Sequence, residues 1–441
     1  MRKMLLAVLV VAGALFLCAC GKEKKGEEKT TVTPTEAAPA QTAIPTPTEE
    51  VTRTPEVPEG GLLVLNRESE IIGTIPEGME FVATDSGILY IKRTELATSI
   101  EEEDPANDVL CGVPLEMVQS KTEYHIFRPG KDEDRLIGSI EGMNAETVYA
   151  RTSLGGKIYT LFMRGDLMAD GNPLMLLEID PEGGLKEFTV SETGYPYAQM
   201  TAFDGKIYIT CREPGDPTVD YVYEFDPAAG KIREVLRGGI GEDDTGDSFR
   251  QITTDGEKLY LLVLRFTGKD VRMIVRTLDA EFRTEKEQDI TGLFRESARI
   301  ADPDGDEDSI DNQIIQPISS FRITKEGCLF YQNFSIVTMV LNLNTEEILI
   351  AGSDLFSVSL GGGEPIVFTA VRLDDSGENY ENRVFVSEGT ELVQQIVQTV
   401  DSRYRLDSMS VSGNGTQILI LAAENDDRSE TLIPLLYYWK D

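Results

Sequence analysis

The chain has 441 residues, and its 77 acidic and 41 basic side chains give a formal net charge of -36. A surface with this charge repels the phosphates of nucleic acids and the head groups of anionic lipids, which argues against both as direct partners. Two of the five cysteines lie within the first 20 residues, and the other three are odd in number and far apart in sequence, which argues against a disulfide scaffold or a zinc site.

The first 19 residues have the pattern of a lipoprotein signal peptide. Residues 1–3 carry two positive charges, residues 4–17 form an apolar run too short to cross a bilayer, and Leu17-Cys-Ala-Cys20 follows. Because the signal peptidase requires a small residue before the modified cysteine, Ala19 favours Cys20 over Cys18. The alternative is an uncleaved N-terminal anchor helix. We predict that Cys20 is lipidated and holds the mature protein on the extracytoplasmic face of the cell membrane.

Residues 20–60 are predicted to be a disordered linker. The segment is rich in Lys, Glu, Thr, Pro and Ala, and it has almost no large apolar side chains. It therefore cannot bury enough surface to offset its conformational entropy. If extended at about 3.1 Å per residue, such a linker could hold a folded domain on the order of 100 Å from the membrane.

From residue 61 onward the chain consists of short alternating runs of β-branched and aromatic residues, with no convincing helical period. This pattern predicts one all-β domain over residues 61–441. A polar turn with glycine followed by a strand recurs along it, because a hairpin turn that matches strand twist needs positive φ. The turn glycines are Gly87, Gly156, Gly205, Gly256, Gly327, Gly363 and Gly415.

A second recurring element, an apolar strand closed by an Asp-Pro turn, gives four strands per repeat. It is clearest in Glu178-Ile-Asp-Pro181 and Glu224-Phe-Asp-Pro227. The spacing of the turn glycines is close to the period of a propeller blade. We predict a β-propeller of seven blades, with six or eight as the nearest alternatives. Its ring would be closed by pairing the C-terminal strand, which includes residues 432–439, with an N-terminal strand.

The phrases Asp204-Gly-Lys-Ile-Tyr208 and Tyr223-Glu-Phe-Asp-Pro227 resemble the repeats of bacterial extracytoplasmic β-propellers, especially lipoprotein propellers of Gram-positive bacteria. The chain also resembles the propellers that precede the ligand-binding domain of some solute-binding lipoproteins. Such motifs encode turns and core, so the resemblance implies an architecture rather than a chemistry.

No pattern in the sequence predicts a catalytic site, a metal site or a cofactor. The chain has no Gly-x-Ser-x-Gly motif, and its one histidine, His125, is expected to be a solvated strand residue. Cys211 and Cys328 are expected to be buried, inert thiols, and Cys111 is remote from both in sequence. The acids are too numerous to nominate a catalytic pair.

The run Asp302-Pro-Asp-Gly-Asp-Glu-Asp308 could supply calcium ligands, but it departs from the EF-hand loop. Glu307 stands where the glycine of the sharp turn belongs, and Gln313 replaces the bidentate acid. We therefore interpret this run as an acidic, disordered loop, with calcium binding as the alternative.

The two faces of a propeller should differ in this chain. The tight turns join strands one to two and three to four of each repeat, and we call the face that carries them the turn face. The opposite face, here the loop face, carries the longer segments, which hold 34 acidic and 9 basic residues. The segments are residues 95–121, 165–173, 191–197, 212–220, 237–248, 292–317, 372–382, 401–407 and 424–431.

Loops carried on a rigid scaffold are where binding usually resides. Our first hypothesis is a noncatalytic binding or scaffold lipoprotein that recognises a protein, a peptide or a cell-surface polymer through the loop face. The alternative is an extracytoplasmic hydrolase or lyase acting on glycans at the propeller channel. A third hypothesis is an accessory component of a solute transporter. A surface that only keeps the domain soluble would give the same acidic pattern.

Overall fold

The computed structural model describes residues 70–71, 79–98, 118–128, 133–141, 148–163, 173–192, 195–213, 218–268, 270–333, 337–352, 356–361, 364–372, 380–388, 391–396, 404–411, 417–424 and 432–438. Side chains are described only within residues 81–352. All described residues belong to one compact unit formed by Pro55–Ser99 and Met117–Asp441. The predicted signal peptide, Cys20, the linker and Cys111 lie outside the described residues.

The described residues form 28 strands and two helices. The strands up to the middle of the unit are β1 (Glu70–Ile71), β2 (Met79–Thr84), β3 (Gly87–Thr98), β4 (Val118–Arg128), β5 (Glu133–Glu141), β6 (Val148–Leu154), β7 (Lys157–Met163), β8 (Leu174–Asp180), β9 (Gly184–Ser191), β10 (Tyr195–Phe203), β11 (Lys206–Glu213), β12 (Thr218–Asp226), β13 (Lys231–Ile240) and β14 (Thr245–Thr254).

The second half of the unit contains both helices. Its elements are β15 (Leu259–Thr267), β16 (Asp270–Leu278), β17 (Thr284–Asp289), α1 (Thr291–Ala301), α2 (Glu307–Ile314), β18 (Ile318–Ile323), β19 (Cys328–Asn333), β20 (Thr338–Asn342), β21 (Glu347–Gly352), β22 (Phe356–Gly361), β23 (Glu364–Arg372), β24 (Tyr380–Glu388), β25 (Glu391–Ile396), β26 (Tyr404–Val411), β27 (Gln417–Glu424) and β28 (Leu432–Tyr438).

The strands pair as antiparallel meanders of four, which we number in chain order from β2. Meanders 1, 2, 5 and 6 are separate sheets made of β2–β5, β6–β9, β18–β21 and β22–β25. Meanders 3 (β10–β13) and 4 (β14–β17) share one eight-stranded sheet, because β13 pairs with β14 at Gly239↔Asp247 and Ile240↔Gly246. Since these two meanders share an edge, the number of blades stays a prediction.

The first strand of each meander faces the first strand of a neighbouring one. Contacts of this kind join β6 to β10, β10 to β14, β14 to β18, β18 to β22, β22 to β26 and β26 to β2. Meander 7 consists of β26, β27, β28 and β1, with Glu70↔Leu436 and Ile71↔Leu435 in register. The predicted propeller, closed by pairing the two ends of the chain, is therefore confirmed.

The repeated sequence phrases have a common structural cause. In meander 2, Glu178 accepts hydrogen bonds from Lys157 Nζ (2.7 Å) and Tyr159 Oη (3.1 Å). In meander 3, Glu224 accepts them from Lys206 Nζ (2.9 Å) and Tyr208 Oη (3.4 Å). The Gly-Lys-Ile-Tyr phrase and the glutamate before Asp-Pro therefore recur together, because each lysine and tyrosine bind the glutamate of the next strand.

Apart from Thr291, both helices lie in the segment 292–317 that the sequence analysis assigned to the loop face, and α2 begins within the acidic run that it interpreted as a disordered loop. Helix α1 buries Phe294, Ser297 and Ala298, which recur at helical spacing and pack against meanders 4 and 5. Asp306 caps α2, because its carboxylate accepts a hydrogen bond from the amide of Ser309 at 2.8 Å. The acidic run is therefore in part a helix-capping signal.

Candidate functional site

An open cleft of about 560 Å³ lies where meander 3 passes into meander 4. It is formed by the loop-face ends of β12, β13, β14 and β15. The lining residues of the first three strands fall in two of the segments that the sequence analysis assigned to that face, 212–220 and 237–248, and those of β15 do not. The residues that line it are Thr218, Val219, Arg237, Gly238, Gly239, Ile240, Gly241, Gly246, Asp247, Arg265, Phe266 and Thr267.

Glycine backbone forms part of the cleft lining because β13 approaches both β12 and β14 too closely for side chains. Gly239 has φ +140°, and a Cβ there would lie 2.1 Å from the carbonyl oxygen of Thr218. Gly246 has φ +142°, and a Cβ there would lie 2.1 Å from the carbonyl oxygen of Gly239. These positions therefore require glycine, and a bound molecule can come close to the main chain.

One wall of the cleft is held by a network of two arginines and two carboxylates. Arg265 binds Asp247 (Nε to Oδ1, 2.8 Å) and Glu287 (Nη2 to Oε1, 2.9 Å). Arg276 binds the same two carboxylates, with 2.7 Å between its Nε and Oε1 of Glu287. Because Arg265↔Asp247 and Arg276↔Glu287 are cross-strand neighbours, the network spans β14 to β17.

The two carboxylates of this network are held in their ionised form. Burial opposes ionisation of Asp247, but hydrogen bonds from Arg265 and Arg276 outweigh it and place the pKa of Asp247 below its ordinary value. The hydrogen bond from Arg265 likewise lowers the pKa of Glu287. The network is therefore balanced in charge, and it fixes the position of Arg265 at the cleft.

Arg237 stands on another side of the cleft and is held differently. Its guanidinium lies over the ring of Tyr221, 5.4 Å from the centroid, and the two residues are cross-strand neighbours. The hydroxyl of Tyr221 donates to Glu213 at 2.7 Å, a bond that raises the pKa of Tyr221 to about 12. Arg237 is exposed and forms no ion pair with any residue that the structure describes.

A buried carboxylate ties the two meanders together near the cleft. Asp220 has no exposed surface, and it accepts hydrogen bonds from Arg212 Nε (2.7 Å) and from the amide of Phe249 (3.0 Å). Arg212 also donates to Ser248 of β14. A buried charge that is fully hydrogen-bonded in this way orders its surroundings, so the cleft lies on rigid strands.

His125 is not the solvated strand residue that the sequence analysis expected. It lies in β4 with 8% of its surface exposed, stacks on Tyr90 at 5.1 Å, and has its Nδ1 3.2 Å from Oδ1 of Asp134. His125 is in register with Tyr90, as Glu178 is with Tyr159 and Glu224 with Tyr208. The histidine therefore occupies the repeat position of those glutamates, where its partners are structural.

The acidic run at Asp302–Asp308 is engaged by neighbouring groups. Glu307 binds Arg299 at 2.8 Å, and Asp306 caps α2. Within the described part of the chain, no group of three or more His, Cys, Asp or Glu side chains is placed to hold a metal ion. The same described residues contain no helix long and apolar enough to cross a membrane.

Two cysteines have the environment that the sequence analysis predicted. Cys211 and Cys328 are both free and buried. Burial raises the pKa of Cys211 to about 12, and it also raises the pKa of Cys328. Since the thiolate is the reactive form, both thiols are inert near neutral pH.

The innermost strands carry β-bulges that the sequence analysis did not anticipate. Bulge residues shift the cross-strand register within the first strands of four meanders, each four or five residues before the strand ends. They are Tyr149 in β6, Arg250 in β14, Ser319 in β18 and Asp407 in β26. Bulges are common next to active sites, where they redirect a side chain.

The comparisons with known proteins leave the family open. No family model and no curated protein matches the chain. Among solved structures, the chain resembles polysaccharide lyase Uly1, with a TM-score of 0.45 and 9% identity over 83% of this chain and 90% of that one. It resembles an endo-arabinase from Bacteroides thetaiotaomicron with a TM-score of 0.28 and 13% identity over 65% of this chain and 90% of that one.

A further similar structure is a puromycin-hydrolysing peptidase from Mycobacterium tuberculosis. Its TM-score is 0.40, with 10% identity over 81% of this chain and 53% of that one. All these TM-scores are below 0.5, so these likenesses do not assign a function to this chain.

Proposed function

We propose that this protein is a noncatalytic binding propeller whose ligand site is the cleft between meanders 3 and 4. The observation that carries the proposal is a 560 Å³ cleft with a glycine-lined surface and two arginines held by defined partners. Rigid, concave sites with a few fixed polar groups are typical of ligand binding. The open form of the cleft suits a segment of a longer molecule, such as a peptide or a cell-surface polymer.

The charges at the cleft favour binding over turnover. Asp247 is the one carboxylate among the described residues that line it, and two arginines keep the pKa of Asp247 low. A carboxylate that stays ionised in this way cannot donate a proton near neutral pH, and its lone pairs are occupied by Arg265 and Arg276. Asp247 therefore positions Arg265 and does not act as an acid or base.

The predicted lipoprotein signal peptide, residues 1–19, and the predicted linker, residues 20–60, complete this proposal. Lipidation of Cys20 would hold the propeller at the extracytoplasmic face of the membrane, where a surface polymer or peptide is accessible. The variant Cys20→Ala is expected to move the protein from the detergent phase to the aqueous phase in detergent partitioning. Equal partitioning of the variant and the wild-type protein would contradict the anchor.

The cleft itself is tested by filling it. Thr267 lines the cleft and is exposed, so Thr267→Trp should occupy part of the site without disturbing the core. Thr284→Trp is the matched control, because Thr284 is exposed at the turn-face end of β17 and lies outside the cleft. The probe is an array of surface oligosaccharides, glycerol-phosphate oligomers and peptides.

We expect ligands that the wild-type protein captures to bind at least tenfold more weakly to the Thr267→Trp variant, and unchanged to the control. Ligands that bind all three proteins equally would place recognition elsewhere and contradict the proposal. So would an array on which nothing binds the wild-type protein better than the Thr267→Trp variant.

The bulged inner strands favour a second candidate function, a glycan-active enzyme with its site in the propeller channel. They place an arginine, a tyrosine and an acid, Arg250, Tyr149 and Asp407, at bulge positions in the first strands of three meanders. Acids and tyrosines are suitable proton donors and acceptors in glycan cleavage. Release of shorter oligosaccharides by the wild-type protein, lost in Arg250→Ala and kept in Arg283→Ala, would support the enzyme; no release from any anionic or neutral glycan would exclude it.

A further inference from the structure

We propose that Arg237 is the recognition point for an anionic group of the ligand, a carboxylate or a phosphate. This inference rests on the proposed function, because it assigns a ligand chemistry to the same cleft. It starts from an imbalance: the chain has almost twice as many acidic as basic residues, yet Arg237 has no carboxylate partner among the described residues.

The other arginines near the cleft show how unusual Arg237 is. Arg212 binds Asp220, and both Arg265 and Arg276 bind Asp247 and Glu287. Each of these arginines is thereby neutralised by a carboxylate. Arg237 contacts an aromatic ring in place of an acid, so its charge and its N–H donors remain available.

The position of Arg237 is prepared in advance. Tyr221 is nearly buried, and its hydroxyl is fixed by Glu213, so the ring forms a stable platform for the guanidinium. A planar guanidinium held over a ring presents its N–H edge in a fixed direction, which suits two-point binding of a carboxylate or phosphate. Less side-chain entropy is then lost on binding than for a free arginine.

Neighbouring acids limit where an anion can bind. Glu242, Asp243 and Asp244 form an exposed turn directly after the cleft strand β13, and Asp243 is occupied by Thr245 at 2.7 Å. These acids repel a negative charge on their side of the cleft. An anionic group is therefore directed to Arg237, while the uncharged remainder of the ligand can lie along Phe266 and the glycines.

The test uses the full-length protein in detergent and three sets of oligomers on one array. The sets are oligogalacturonates, their neutral methyl esters, and glycerol-phosphate oligomers, so that carboxylate and phosphate sources are distinguished. The variants are Arg237→Gln, Arg237→Lys and the control Arg283→Gln, which removes the same charge from an exposed turn-face arginine.

We expect anionic oligomers of at least one set to bind the wild-type protein, and the methyl esters to bind more weakly. Binding should fall about tenfold to a hundredfold in Arg237→Gln, be partly restored in Arg237→Lys, and be unchanged in the control. Binding of esters and acids with equal affinity, unchanged binding by Arg237→Gln, or failure of every anionic oligomer to bind would overturn the inference.

Failure of this inference can be told apart from failure of the proposed function. If a ligand no longer binds the Thr267→Trp variant but still binds Arg237→Gln, the cleft stays the proposed binding site and the anionic subsite at Arg237 is contradicted. If a ligand still binds the Thr267→Trp variant, the proposal that the cleft is the binding site is itself contradicted.

Discussion

The two ends of meander 3 are built on different principles. At the turn-face end, Glu224 is bound by Lys206, Tyr208 and Arg233. In meander 2, Lys157 and Tyr159 bind Glu178 in the same way as the first two of these residues. At the loop-face end, close-packed glycines and Arg237, which has no acid partner within the described part of the chain, contribute to a cleft. The repeated end stabilises the fold, and the end that does not repeat is where we place binding.

The glycines at the loop-face end should be the most sensitive positions in this comparison. Gly239→Ala would place a Cβ 2.1 Å from a carbonyl oxygen at φ +140°, so we expect unfolding to become easier by roughly 3–5 kcal/mol. Gly155→Ala is the control, because Gly155 has φ +62° with no atom within 4 Å of the added carbon, and it should cost only about 1–2 kcal/mol. Urea denaturation measures both, and equal losses would show that the close approach is not a constraint.

The contribution of Glu224 and its basic partners, Arg233 and Lys206, to stability should depend on pH. Hydrogen bonds from Arg233, and then from Lys206, outweigh the effect of burial and lower the pKa of Glu224 below its ordinary value of 4.5. Glu224→Gln should therefore cost about 2–3 kcal/mol at pH 7, because two basic groups lose their acid.

The sign of the pH dependence follows from the lowered pKa. The stabilisation by Glu224 is present above pH 4.5 and is lost as the pH falls through the folded-state pKa, so the difference between wild type and variant should shrink in acid. Glu281→Gln, at an exposed pair with Arg283, is the control and should cost less than about 1 kcal/mol. A stability difference for Glu224→Gln that stays constant from pH 7 to pH 3 would contradict the assignment.

The smallest effect on stability is expected for a substitution at Tyr221, the residue beneath Arg237 at the cleft. Tyr221→Phe removes the hydroxyl that Glu213 holds but keeps the ring under Arg237, so we expect a loss of only about 1 kcal/mol in stability. Affinity for an anionic ligand should fall by a few fold, because the platform is less fixed. Isothermal titration with the captured oligomer checks this, and a loss of affinity as large as that of Arg237→Gln would show that the hydroxyl itself contacts the ligand.

The sequence predicted those parts of the fold that depend on local chemistry. Asp204 and the turn glycines at 87, 156, 205, 256 and 327 have positive φ, as the hairpin pattern predicts, whereas Gly363 and Gly415 lie outside the described residues. The four-stranded repeat and the pairing of an N-terminal with the C-terminal strand could therefore be predicted from spacing. Asp180 and Asp226 close their Asp-Pro turns by accepting amide hydrogen bonds from residues two and three positions later.

The remaining features depend on contacts between distant segments. Gly238-Gly239 and Gly246 can be read in the sequence, but glycine is required there by the approach of β13 to β12 and to β14, which no local pattern encodes. The partners of His125 were missed because the stack on Tyr90 joins two different strands. The helices were not predicted because both are short: the first ends just before the acidic run at Asp302–Asp308, and Asp306 within that run caps the second.

Amide hydrogen exchange on the full-length protein, with and without the captured oligomer, tests the central claim most directly. The claim is that the ligand lies in the cleft formed by β12 to β15. We predict slower exchange on binding in residues 237–247 and 265–267, and no change at the turn-face turns 181–183 and 227–230. Protection confined to the inner strands around Arg250, with unchanged exchange at 237–247, would contradict the claim and favour the channel.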